Sequence, residues 1–391
     1  MIRVGFQPIG GAGWLGGRNY LWNLLYGLSL LPAAERRLEP VLMSEPGDAR
    51  ELMLPGVMHF PRAGRLASVW ARRAGTASMR LLGRDLVQDH WLRRARVDCY
   101  SHGPPLGRRR GVPYVFWIPD VQHRRLPALF TPFERRERDI AFDIALDAAA
   151  AVITSSEAAR ADLVRAYGRK AERVRVLHFV SSPRVDLAKL PTRVELTARF
   201  QLPPRYFHLP NQFWPHKNHA LVLDALAALT KVSPDITVVT TGAKDARNPQ
   251  HYDALMTKAA RLGLGDRFRH LGLVSYDELI ALMLHSVAIL NPSLFEGWSS
   301  SVEEARSLGK RVLLSDIDTH REQAPARGVY FPVDDAGALA RELQNTWQAH
   351  DEAAEARSIA AAAALLPDRV RAFGRAYQAI VVDSVGAHRT A

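Results

Sequence analysis

Apolar and polar positions along the chain fall into blocks that predict a strand–helix repeat run through twice. Ile2, Val4 and Phe6 mark a first strand at residues 2–6, and Leu21, Leu24, Leu25 and Leu28 then recur at helical spacing. Short apolar runs at 40–43, 57–60 and 112–118 predict further strands, the last closed by a Pro-Asp turn. Residues 132–150 predict a long helix with a charged start, 151–154 a strand, and Ser155-Ser156 the cap of the next helix. The run at 174–180 closes this half. Residues 181–205 are polar and hold Pro183, Pro191, Pro203 and Pro204, the composition of a linker. The alternation then restarts, with strands at 206–209, 236–241, 268–271, 287–290 and 312–315 and a helix from about 218 to 229. Residues 336–382 are largely helical in pattern.

Two such series predict an α/β protein with two doubly wound parallel sheets. Ligands of such sheets bind at the carboxyl ends of the strands, so the site is expected in a cleft between the domains. The 391 residues are too many for one ordinary core, and the 47% hydrophobic content is ample for folding. No run of eighteen uncharged apolar residues suggests a membrane span, and the first residues read as a strand rather than a signal peptide. The single cysteine, Cys99, excludes internal disulfides and a cysteine-rich metal site, which points to a cytoplasmic protein.

Charge changes the picture in one region. The net charge is +12, and the window from Arg62 to Arg125 holds 14 arginines against four acids, Asp85, Asp89, Asp98 and Asp120. Trp70 and Trp91 lie among them. Such a surface attracts anionic lipid head groups, phosphorylated acceptors or nucleic acid, and a merely solvated basic face accounts for it equally well. Nucleic acid is not the expected partner.

The most informative stretch runs from 289 to 309. An apolar strand ends at Leu290, Asn291-Pro292-Ser293 breaks it, Ser299, Ser300 and Ser301 offer N-caps, and Val302, Ala305 and Leu308 follow at helical spacing. A helix start exposes unpaired N–H groups that hold phosphate without a cationic side chain. Glu296 and Glu304, eight positions apart, bracket the turn. Glu304 is placed to accept hydrogen bonds from a ribose diol and Glu296 from sugar hydroxyls.

This segment resembles the donor-site signature of the retaining glycosyltransferases of family 4, in which two Glu separated by seven residues follow a Pro-Ser turn. The resemblance implies the GT-B fold: an acceptor-side domain at about 1–185, a nucleotide-sugar domain at 186–368, and a last helix crossing back at about 369–391. Val370, Phe373, Tyr377 and Ile380 form the candidate face of that helix. The family's Gly-Phe-Gly-Leu-Pro after the first Glu is Gly297-Trp298-Ser299-Ser300-Ser301 here. Its basic pair for the diphosphate is matched by Lys217, while Asn211 stands at the Arg position and His216 offers a substitute cation. The family's first-loop glycine pair corresponds to Gly16 and Gly17, next to a literal but isolated G-x-G-x-x-G match from Gly11 to Gly16. Its His-Asp pair becomes Pro119-Asp120, with His123 close by. Val274, in Gly272-Leu273-Val274, resembles the stretch that brackets the nucleobase. No residue set reads as a metal site; Asp316 and Asp318 are expected to cap a helix.

The function this implies is a retaining, metal-independent transfer from a nucleoside-diphosphate sugar, needing no other cofactor, to a glycan or lipid-linked acceptor in cell-envelope or polysaccharide synthesis. Glu296, Lys217, Asp120 and His123 are the candidate catalytic residues. The donor-binding set is Gly16, Gly17, Asn211, Lys217, Val274, Glu296, Gly297, Trp298, Ser299, Ser300, Ser301, Val302 and Glu304. The basic window allows a peripheral position on the inner face of the cell membrane. A sugar-nucleotide epimerase of the same fold and a non-catalytic binder of anionic polymer or membrane stay open at this point.

Overall fold

The computed structural model describes residues 1–9, 15–44, 52–61, 69–107 and 111–390. The glycine loop from Gly10 to Trp14 and the arginines Arg62, Arg65, Arg108, Arg109 and Arg110 lie outside them. By its internal contacts the chain divides into two compact units, Met1–Ser181 with Pro367–Ala391, and Ser182–Leu366.

The first unit contains β1 (Ile2–Phe6), α1 (Leu15–Ser29), β2 (Leu38–Ser44), β3 (Met58–Pro61), α2 (Val69–Leu82), α3 (Leu86–Arg94), β4 (Cys99–Ser101), β5 (Tyr114–Trp117), α4 (Gln122–Arg125), α5 (Pro132–Ala148), β6 (Ala151–Thr154), α6 (Glu157–Tyr167) and β7 (Arg175–Val176). Its seven strands pair in parallel in the order β3-β2-β1-β4-β5-β6-β7. Phe116, Phe142, Leu146, Val152 and Leu163 meet in its core. The α5 start is fixed by a capping box between Thr131 and Glu134, with Pro132 at the first turn.

The second unit contains α7 (Arg193–Phe200), β8 (Phe207–Leu209), α8 (His219–Ala228), β9 (Val238–Thr240), α9 (Pro249–Arg261), β10 (Phe268–His270), α10 (Tyr276–His285), β11 (Ile289–Asn291), α11 (Ser300–Ser307), β12 (Val312–Ser315), α12 (Asp318–Gln323), β13 (Gly328–Phe331) and α13 (Ala336–Gln348). The sheet order is β10-β9-β8-β11-β12-β13, again all parallel. Phe207, Leu209, Val222, Leu226, Val238, Leu290 and Leu313 fill its core. Full burial of each such side chain contributes about 1.5–3 kcal/mol.

The final helix, α14 (Glu352–Thr390), contains Pro367, the residue at which the chain returns to the first unit. The face expected from the sequence is the buried one: Val370, Phe373, Tyr377 and Ile380 are all at most 7% exposed. Gly374 and Gly27 of α1 let the two backbones meet; a Cβ on Gly374 would lie 2.5 Å from the Gly27 carbonyl. A buried polar chain locks the contact. Tyr377 donates to Ser101 Oγ (2.7 Å), which lies 2.7 Å from His102 Nδ1, whose Nε2 is 3.1 Å from the Tyr20 hydroxyl. Burial pushes the His102 imidazole down to about 3, so the chain is neutral.

Two boundaries differ from the sequence expectation. The 181–205 stretch is not wholly a linker: Thr192 and Glu195 close a capping box that starts α7. Asn291 does not break its strand but ends it, paired in register with Leu314. A central strand of the sheet therefore carries a polar side chain at its carboxyl end.

Candidate donor site in the second unit

Asn291 organises the loop after β11. Its side-chain amide donates to Ser299 Oγ (2.7 Å) and Ser301 Oγ (3.2 Å), and its carbonyl oxygen accepts from Ser293 Oγ (2.6 Å). Ser299 is the N-cap of α11, but its hydroxyl makes no capping bond. The first intrahelical bond runs from Glu303 N to Ser299 O (3.1 Å). The amides of Ser300, Ser301 and Val302 precede it and have no acceptor within the helix. The Ser299 amide does not join them, contrary to the expectation for this residue. Gln323 of α12 takes it at 3.2 Å and donates back to the Ser299 carbonyl at 3.0 Å. Gly297 and Trp298 are buried in the same loop.

Lys217 lies in the one-turn helix Pro215–Lys217 that follows β8. Its ammonium is 2.6 Å from Glu296 Oε1, and both side chains are nearly enclosed, at 12% and 9% exposure. Ser293 Oγ lies 2.7 Å from the same carboxylate oxygen. Burial pushes Glu296 up, but Lys217 outweighs it, and the carboxyl stays below its ordinary range. The backbone ties the two loops together: Leu294 N donates to the His216 carbonyl at 2.8 Å, and Thr319 Oγ1 donates to the Glu296 carbonyl at 2.7 Å.

His216 is not the substitute cation that its position suggested. Burial, aided by the neighbouring Lys217 charge, drives its imidazole down to about 3, so it is neutral near pH 7. Asn211 is only 5% exposed. Its Oδ1 accepts from Ser301 Oγ at 3.5 Å, while its Nδ2 is buried with no partner. A buried donor left unpaired costs about 1–3 kcal/mol, so it favours an incoming acceptor. Gly242 leaves room for the Asn211 backbone: its φ is +135°, and a Cβ there would lie 2.6 Å from the Asn211 carbonyl oxygen.

Glu304 sits on α11, 4% exposed. Tyr276 donates to its Oε1 at 3.3 Å. Burial raises its carboxyl to about 7, against the opposing effects of Tyr276 and Arg184. The two glutamates of the motif therefore differ in charge near neutrality. Val274, after β10, is half-buried against the cluster that holds Leu196 and Leu282.

The other candidates belong to the first unit. Gly16 and Gly17 do not precede α1 but form its first turn, where no intrahelical donor is needed and glycine is tolerated. Asp120 Oδ1 accepts from Gln122 N at 2.8 Å, which closes the turn into α4. His123 is fully buried, with Nε2 2.9 Å from Asp139 Oδ1 and its ring edge-on to Phe142. Burial lowers its pKa despite Asp139, and its Nδ1 is buried without a partner. Asp316 and Asp318 do not cap α12, whose N-cap is Ile317; Asp316 instead pairs with Arg321 at 2.6 Å. Among the described residues no group of three His, Cys, Asp or Glu side chains could hold a metal ion.

The sequence reading did not reach Asn291 as an organiser, nor Ser293, Gln323, Thr319, Tyr276 and Arg184. Asn291 and Ser293 do carry a local signal, polar residues flanking Pro292 at the end of an apolar run, which by itself predicts only a chain break. The others come from distant segments and carried none.

Two parallel sheets of seven and six strands, with a last helix returning to the first unit, define the GT-B fold of glycosyltransferases. Residues 199–363, most of the second unit, match the family model of glycosyl transferases group 1. The D-inositol 3-phosphate glycosyltransferase of Salinispora tropica is 27% identical over 302 residues, covering 72% of this chain and 61% of that protein. Its namesake from Salinispora arenicola is 26% identical over 281 residues, covering 68% and 59%. The chain thus spans about three fifths of the length of these relatives. Among solved structures, Anabaena Alr3699/HepE in complex with UDP and glucose superposes with a TM-score of 0.66 at 18% identity, covering 98% of this chain and all of that one. Sucrose-phosphate synthase from Thermosynechococcus elongatus superposes at 0.67 and 17% identity, covering 100% and 99%.

Proposed function

We propose that this chain is a retaining glycosyltransferase that moves a sugar from a nucleoside-diphosphate sugar to a glycan or lipid-linked acceptor without a metal. The observation that carries the reading is the convergence, in one unit, of the Lys217–Glu296 pair, the uncapped amides of Ser300, Ser301 and Val302, and the unpaired amide of Asn211. A departing diphosphate is the anion that suits them. The family match over 199–363 and the nucleotides in the Alr3699/HepE complexes support the same donor class.

In this reading the ammonium of Lys217 and the amide dipoles at α11 take up negative charge as the anomeric C–O bond breaks. An ammonium has three donors, so Lys217 can hold Glu296 and a phosphate oxygen together. Glu296 orients the sugar, and Glu304 the ribose. A phosphate oxygen of the leaving group accepts the acceptor's proton on the face where the new bond forms, so retention needs no protein nucleophile. Asp120 and His123 are assigned to the acceptor side.

The acceptor is proposed to be presented at an anionic lipid surface, for which α2 and α3 carry exposed Leu81, Leu82 and Leu86 and exposed Arg73, Arg93 and Arg94. No helix among the described residues is long and apolar enough to cross a membrane.

The test is a thermal-shift and turnover screen against UDP-, GDP- and ADP-sugars. The reading expects stabilisation by one donor, and transfer with retained anomeric configuration that persists in chelator. No stabilisation by any donor, or product of inverted configuration, would overturn it.

A further inference from the structure

Arg184, near the start of the second unit, and Tyr276, at the start of α10, come from segments far apart in sequence, and neither belongs to the motif around Glu304. They form a short relay: the Arg184 guanidinium lies over the Tyr276 ring, 5.2 Å from its centroid, and the Tyr276 hydroxyl donates to Glu304 Oε1 at 3.3 Å. We propose that Tyr276 and Arg184 are positioning residues for Glu304: the phenol aims the carboxyl group, and the guanidinium supplies the charge that favours the form able to receive a ribose diol. The proposal rests on reading the second unit as a nucleotide-sugar site.

The physical need is clear. An ionised carboxylate accepts a charge-assisted hydrogen bond from each hydroxyl of a diol; protonated, it offers only the weaker neutral bonds. Glu304 is enclosed, and burial favours its neutral form. Tyr276 and Arg184 are the two groups that oppose this. On its own helix, Glu303 turns instead towards Gln323 and Arg306. Capture of the nucleotide should thus strengthen as pH rises through neutrality, with a midpoint governed by the relay. Arg184 lies beside the boundary between the two units, so the second unit sets its own nucleotide grip with a residue at its very start.

The experiment titrates the full chain with carboxyl-labelled glutamate by 13C NMR, using Glu304→Gln to assign the signal, and measures UDP affinity by calorimetry from pH 5.5 to 8.5. Tyr276→Phe and Arg184→Met should each raise the Glu304 midpoint by about 0.5–1. Their UDP affinity at pH 7 should fall about two- to fivefold and recover at high pH. Arg184→Lys, which keeps the charge, should titrate close to wild type. Glu304→Gln should bind weakly and keep only the pH dependence of the nucleotide's own phosphate. Unchanged midpoints in folded Tyr276→Phe and Arg184→Met proteins would overturn the relay and leave the nucleotide site standing. Failure of UDP, GDP and ADP to bind at any pH would instead remove the site reading, and the ribose role with it.

Discussion

The Lys217 ammonium stands 2.6 Å from the Glu296 carboxylate, and neither side chain is much exposed to water. Removing one partner strands the other. Lys217→Ala and Glu296→Ala should each destabilise the chain by about 3–5 kcal/mol, read as a fall in urea midpoint. The double variant Lys217→Met/Glu296→Leu should recover most of that stability. Donor turnover should drop about tenfold or more in all three, so stability and activity separate in the double variant.

Glu304 imposes a pH dependence of opposite sign from the paired Glu296. Its folded carboxyl is raised from 4.5 to about 7, so the native state binds the extra proton between those values. Stability should therefore fall as pH rises from about 4.5 through 7 and level off above, by up to about 3 kcal/mol for this one group. Glu304→Gln should flatten that slope and be more stable than wild type at pH 8. Equal unfolding midpoints of the two proteins across pH 5–8 would contradict the assignment.

Asn211 has a spare donor where the resembled family carries a cation. Asn211→Ala should lower donor affinity about three- to tenfold, the scale of one neutral hydrogen bond, and less than Lys217→Ala does. Asn211→Asp, with no donor and a negative charge beside the anion, should lose more than the alanine variant. Calorimetry with UDP measures both.

Gly374 packs where a Cβ would strike the Gly27 backbone. Gly374→Ala should therefore cost about 1–3 kcal/mol, because backbone cannot rotate away as a side chain can. Limited proteolysis should then cut within α14 beyond Pro367 first. Gly386, with open space around it, is the control position, and alanine there should leave the cleavage pattern unchanged.

The leucine–arginine surface of the first unit predicts sedimentation with vesicles containing anionic lipid, and none with neutral ones. Replacing Arg73, Arg93 and Arg94 by Gln should weaken binding about tenfold or more, and raised salt should do the same. Binding that ignores lipid charge would rule the surface out.

Much of this fold was legible because buried parallel strands are continuous apolar runs, as at 151–154 and 312–315, which are β6 and β12 as observed. The α7 capping box was also legible in Thr192 and Glu195, but the surrounding prolines masked it. The strand–turn–helix at Glu296 exposed its own geometry because all its parts lie within twenty residues. The clamp of Gln323 on Ser299, and the approach of Arg184 and Tyr276 to Glu304, depend on folding distant segments together, which no local pattern records. The neutral state of His216 was equally hidden, because only burial decides it.

Asn291 fastens both sides of the donor loop to the last residue of a core strand, so the cradle's shape is inherited from the sheet rather than from the loop. Between the fastenings Glu296 is tied in turn to Lys217 and Thr319, so the side chain open to exchange without loosening the hold on the leaving group is the exposed Leu294.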